Sequence, residues 1–513
     1  MPYTDYHYFA DRGDGTYTNP ILFADYSDPD VTRVGTDYYM VSSSFNFIPG
    51  LPVLHSTDLI NWIWLSNALK KLPSHRYDEI QPGCGVWAPA IRYHAGRFWI
   101  FFPMPDEGIY VVTAKDAAGP WSEPHLLQAG KGLIDPCPLW DDDGNAYLVF
   151  AYAGSRAGIK HRLHVRPMAP DGSALLGDGH IVFDGTVDHP TVEGPKFLKK
   201  DGFYYISAPA GGVSCGWQIV LRSTSVYGPY EVRTVIAQRG TEVNGPHQGA
   251  LVDDVEGDWW FLHFQERQPY GRICHLQPVQ WRDAWPLVGE SIDASGVGRP
   301  VLSYRKPAGH SGRLAPLSSD DFDSPELGLQ WAFPANPVPG TYNLTARPGF
   351  LRLYAEHVPR ADCHASSRTI SQKVSAEEFR AEAALDFVPH DTVTEAGLAV
   401  LGIDTFQLGV GYETTGGNGW RRILMVKKNN ELLHTLPCPD DRLNLLLDWG
   451  SGGSVQFGYR TGNDIAIQWV GPRFQVKEGV WVGARIGLFC LSQGPLPSKA
   501  YVDFDYFHIV SRT

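Results

Sequence analysis

A chain of 513 residues is longer than one hydrophobic core ordinarily serves, so two domains are expected. Its formal net charge of −13 repels phosphate backbones and argues against nucleic-acid binding, and no apolar stretch approaches the length of a membrane span. Seven scattered cysteines, odd in number and without metal-ligand spacing, argue against a disulfide framework or a zinc site.

The opening string MPYTDYHYFADRGDG has no basic start and no apolar run, so no secretory signal is expected and the expected location is cytoplasmic. Beyond it one pattern recurs five times: a Gly or Asp turn, paired bulky residues, then a short apolar run. The copies are TDYYMVSS from Thr36, GRFWIFF from Gly96, GNAYLVFA from Gly144, DGFYYISA from Asp201 and GDWWFLHF from Gly257, each read as a turn into a β-strand. A motif centred on proline precedes each copy: Asp28-Pro29-Asp30, Trp87-Ala88-Pro89, Asp135-Pro136-Cys137, Glu193-Gly194-Pro195 and Gly245-Pro246-His247. Five units of about 50–60 residues, with almost no amphipathic helix pattern, predict an all-β chain whose residues 1–302 form a five-bladed β-propeller. The 12% aromatic content suits such packed β-structure, and also a site that stacks on flat apolar faces.

Inner strands of a propeller surround one axis, so equivalent motifs converge at one end of it. Asp28, Asp135 and Glu193, far apart in sequence, are therefore expected to face one another across a central pit. Asp141-Asp142-Asp143, before Gly144, reads as a solvated turn, and Asp30, which follows its proline, is set aside.

The string NPILFADYSDPDVTRVGTDYYMVSSSFNFIPGLPVLHSTDLINW resembles the opening of glycoside hydrolase family 43. The likeness continues through GVWAPAIRYHAGRFWIFF, LIDPCPLWDDDGNAYL, VEGPKFLKKDGFYY, GPHQGALVDDVEGDWWFLHF and GRICHLQPVQWRDAWP. It implies a five-bladed propeller enzyme of the β-xylosidase, α-L-arabinofuranosidase or arabinanase kind. By the same resemblance Asp28 matches a general base, Glu193 a general acid, and Asp135 the residue that tunes and holds the acid. Phe45 and Trp87 match apolar walls for a sugar, and Arg272 a donor to its hydroxyls. His247 matches a histidine that binds calcium, directly or through water, in some relatives; the chemistry itself calls for no cofactor. Such chemistry needs two carboxyl groups in opposite protonation states, roughly 6.5–9.5 Å apart if a water is to enter between them with inversion.

The implied function is an exo-acting, inverting hydrolase that releases xylose or arabinose from an oligosaccharide or polysaccharide of plant origin. A retaining fructan- or sucrose-acting enzyme also uses a five-bladed propeller with three acids, but carries Arg before the middle Asp and Cys after the Glu; here Ile134 and Gly194 stand there. The second rival is a carbohydrate-binding propeller without catalysis, against which the complete triad counts.

Residues 303–317, SYRKPAGHSGRLAPL, are rich in Pro, Gly and basic residues and read as a linker. Residues 318–513 hold partly alternating segments such as FRAEAALDF, FQLGVGY and AYVDFDYFHIV, which predict a concanavalin-like β-sandwich. No second acidic constellation is visible there. This domain reads either as a carbohydrate-binding module or, as favoured here, as a structural partner that narrows the pit; in the resembling branch one of its loops can close the site. Oligomeric state is left open by the sequence.

Overall fold

The computed structural model describes residues 7–309, 312–387, 391–415, 419–462, 466–494 and 500–512. Residues 1–6 of the opening string and 310–311 of the expected linker lie outside them. Among the described residues, five four-stranded antiparallel sheets follow one another along the chain. Their innermost strands are Asp30–Val34, Ala90–His94, Leu133–Trp140, Lys196–Lys200 and His247–Asp253. The five repeated patterns form the second strands: Asp37–Val41, Arg97–Met104, Ala146–Tyr152, Phe203–Ala210 and Trp259–Glu266. Each proline motif thus stands at or inside the start of an innermost strand.

The unbroken apolar runs follow from burial on both faces. Alternate side chains of a strand point to opposite faces of its sheet. In blade two, Phe98, Ile100 and Phe102 pack on Val41 and Val53 of blade one, while Trp99 and Phe101 pack on Leu148 and Phe150 of blade three. The cores therefore lie between blades. Charged pairs add to them near the axis. Asp30 accepts from Ile91 N–H and Arg92 Nη1, each at 2.7 Å, and Arg92 Nη2 reaches Cys137 Sγ of blade three at 2.9 Å. Lys196 of blade four donates to the Pro89 carbonyl at 2.7 Å. Asp141 differs from the solvated turn expected of it: its side chain is buried, bonded to Lys199 and Tyr204 of the next blade, while Asp142 and Asp143 are exposed.

The ring closes by a strip laid along blade five. Ile21 N–H donates to Cys274 O at 2.7 Å and Tyr26 N–H to Arg272 O at 3.0 Å. The stretch expected as a linker begins as a strand, Ser303–Arg305, which pairs antiparallel with Thr16–Thr18. Lys306 and Ala308 then lie against the propeller, through Lys306 Nζ to Asp11 and Ala308 N–H to Asp254.

Beyond it two β-sheets stack as a sandwich. One runs through Leu351–Tyr354, Tyr501–Val510, Phe379–Asp386, Arg442–Gly450, Ser454–Thr461 and Gln468–Gln475; the other is built on Arg485–Ser492, Thr394–Leu401, Thr405–Thr415 and Gly419–Lys428. Its core is continuous with the propeller: Phe23, Tyr270 and Ile273 belong to the same apolar cluster as Phe379 and Trp449. Ile48 and Phe333 exchange backbone hydrogen bonds of 2.9 and 2.7 Å across the seam.

Candidate active site

Asp28 precedes the innermost strand of blade one and Glu193 that of blade four, while Asp135 lies inside that of blade three, where the register shifts between Ile134 and Cys137. A bulge of this kind re-aims a side chain. All three carboxyl groups line one pit of about 110 Å³, with Phe45, Trp87, Gln248, Arg272, Trp481 and the apolar Ala88, Ile134 and Val213. Five of these non-glycine residues hold left-handed backbones: Asp28 (φ 55°), Phe45 (50°), Asp135 (57°), Gln248 (41°) and Trp481 (65°). Such conformations cost about 1–3 kcal/mol each and persist only where the surrounding structure over-determines them.

Every donor around Asp28 treats its carboxylate as an acceptor. Ser27 Oγ donates at 2.8 Å, Ser43 Oγ at 2.5 Å and Arg272 Nη1 at 3.1 Å. Arg272 thus grips the expected base directly, a contact beyond the sugar-facing part expected of it. Asp135 accepts the Gly194 backbone N–H at 2.7 Å and so holds the residue next to Glu193. Glycine suits that place: at φ 57°, an added Cβ would lie 2.7 Å from the Gln248 side chain, which would have to shift. The Glu193 carboxyl, by contrast, has no side-chain hydrogen bond among the described residues and faces the pit. Burial, then the charges of Asp135 and Asp28, push Glu193 well above the usual carboxylate range. Burial and the Asp28 charge raise Asp135 too, against the Gly194 N–H, Lys196 and Arg272.

Phe45 and Trp87 wall the pit with ring centroids 6.3 Å apart. The sandwich extends this wall. Trp481, on the loop before Arg485–Ser492, lies 6.4 Å from Trp87 and 5.9 Å from the Arg272 guanidinium. Sequence reasoning anticipated a loop from this domain but not the residue. Gln248 was also missed, although its motif was in view. A register shift between His247 and Gly249 turns Gln248 into the pit, where its buried Nε2 has no partner among the described residues.

His247 is fully buried, is not part of the pit lining, and neither ring nitrogen has a hydrogen-bond partner among the described residues. Burial, with Arg272 nearby, pushes its imidazole down to about 3. Calcium takes six to eight oxygen ligands. Among the described residues no group of three or more His, Cys, Asp or Glu could hold a metal ion, so His247 stands in no such group.

Three carboxyl groups from separate blades of one propeller, with Glu193 pushed above the usual carboxylate range in an aromatic-walled pit, are the groups a glycosyl hydrolase needs. The family model for glycosyl hydrolases family 43 matches residues 17–286, and that for the beta xylosidase C-terminal concanavalin A-like domain matches residues 319–510. The chain belongs to glycosyl hydrolase family 43. It is 33% identical to a beta-xylosidase of Formosa agariphila over 97% of this chain and 91% of that one. It is 32% identical to a non-reducing end alpha-L-arabinofuranosidase of Bacteroides ovatus over 96% and 94%. Among solved structures, the xylan beta-1,4-xylosidase of Bacillus halodurans superposes with a TM-score of 0.85 at 26% identity, covering 96% of this chain and all of that one.

Proposed function

We propose that this hydrolase acts from chain ends, with inversion, and releases single xylose or arabinose units from plant-derived oligosaccharides or polysaccharides. One observation carries the reading: three carboxyl groups from three blades meet round a pit of about 110 Å³, and Glu193 among them is unpaired and raised. A pit of that size, walled by Trp87 and Trp481, suits one sugar ring. The names of the relatives above favour a pentose.

Glu193 carries the proton to the leaving glycosidic oxygen. Asp28 takes the proton of the attacking water while Ser27, Ser43 and Arg272 hold its carboxylate. Asp135 has the Gly194 N–H as donor and Glu193 has none, so the shared burden of charge rests on Asp135 and the proton on Glu193. Gln248 Nε2 supplies a donor for a sugar hydroxyl.

The test uses aryl β-xylosides, aryl α-L-arabinofuranosides and xylobiose, with the product anomer followed by NMR. Inversion is expected. Glu193→Ala is expected to lower xylobiose hydrolysis by about 10²–10⁴-fold. Retention of configuration, or unchanged xylobiose turnover by Glu193→Ala, contradicts the assignment.

A further inference from the structure

Asp25 does not line the pit, yet it joins two residues that shape it. One carboxylate oxygen accepts the Arg272 backbone N–H at 2.9 Å, and the other accepts the Gly483 N–H at 2.9 Å. Its own carbonyl accepts from Lys373 Nζ. Arg272 belongs to blade five and grips Asp28; Gly483 belongs to the sandwich and follows Trp481 by two positions. The approach is close. A Cβ on Gly271 would lie 2.5 Å from Asp25 Cγ, and one on Gly483 would lie 2.6 Å from the Tyr270 carbonyl oxygen. A main-chain N–H cannot swing away as a side chain can. Two of them from different domains on one carboxylate therefore fix the two backbones relative to each other.

We propose that Asp25 is a positioning residue that holds the Trp481 wall and the Arg272–Asp28 clamp in register, so that sandwich and base work as one unit. This rests on the hydrolase reading above. An amide at this position has one acceptor oxygen and turns its NH₂ donors toward the second N–H, so only one of the two bonds survives.

The experiment is a double-mutant cycle of Asp25→Asn and Trp481→Ala, with kcat and KM on an aryl xyloside and thermal midpoints for all four proteins. Asp25→Asn is expected to lower kcat/KM by about 10–100-fold, and Trp481→Ala by about 10-fold. The double variant is expected to lose about 10-fold less than the product of the two, because both act through one arrangement. Losses that multiply in full, or an Asp25→Asn effect confined to the thermal midpoint, overturn the proposal. Lys373→Met, which removes the sandwich's bond to the Asp25 carbonyl and keeps the bulk, replaces Asp25→Asn in the cycle if that variant does not fold. Wild-type turnover with fully multiplying losses sinks this proposal alone; wild-type protein that hydrolyses none of the glycosides sinks the hydrolase reading and this one with it.

Discussion

Asp135 accepts from Gly194 N–H and stands among the charges that raise Glu193. The sign of its removal follows. A general acid works while protonated, so activity falls as pH rises through its pKa. Asp135→Asn keeps an oxygen for the N–H but deletes a negative charge, so Glu193 loses its proton earlier. The basic limb of the kcat/KM profile is expected to move down by about one pH unit or more; a limb that stays in place contradicts the coupling. Gln248 offers a second test. Its buried Nε2 has no partner among the described residues, so Gln248→Met is expected to leave the thermal midpoint unchanged or higher while kcat/KM drops about 10-fold. At this scale the acids were legible because three of five motifs in phase carried one. Trp481 was not: it lies far along the chain, in a loop without repeat or charge signature. Gln248 was passed over because a bulge turns it inward beside His247, and nothing in GPHQGAL announces it.

Single elements explain how blades hold their places. Arg92 bridges from blade two to Asp30 of blade one and Cys137 of blade three, and Asp30 is wholly buried. Removing the cation leaves that carboxylate with the Ile91 N–H and, 3.9 Å away, the Lys196 ammonium. Arg92→Ala is expected to cost about 3–5 kcal/mol, read by chemical denaturation, and a loss below about 1 kcal/mol contradicts the bridge. The five second strands were readable because each must bury both faces, which forces paired bulky residues into every copy. Ser303–Arg305 was not readable as a strand, since its partner Thr16–Thr18 lies at the other end of the propeller and the local composition is that of a linker. Asp141 misled for the same reason: a triple Asp before Gly looks solvated until Lys199 and Tyr204 arrive from a neighbouring blade.

For the whole molecule, the sandwich is wall and buttress at once. Phe23, Tyr270 and Ile273 share its core, and Trp481 borders the pit. A chain stopped at residue 317 is expected to aggregate and to lose at least about 10-fold in hydrolysis of aryl glycosides. A soluble, fully active propeller would instead make the sandwich an independent carbohydrate-binding module. The strip from Asn19 to Asp28 also has a consequence for how the enzyme fails. It is buried along its whole length and bonded to blade five through Ile21 N–H to Cys274 O, Cys274 N–H to Leu22 O and Tyr26 N–H to Arg272 O, and its last residue is Asp28. A ribbon so anchored cannot lift while blade five and the sandwich stand, so loss of activity under heat or denaturant is expected to coincide with melting.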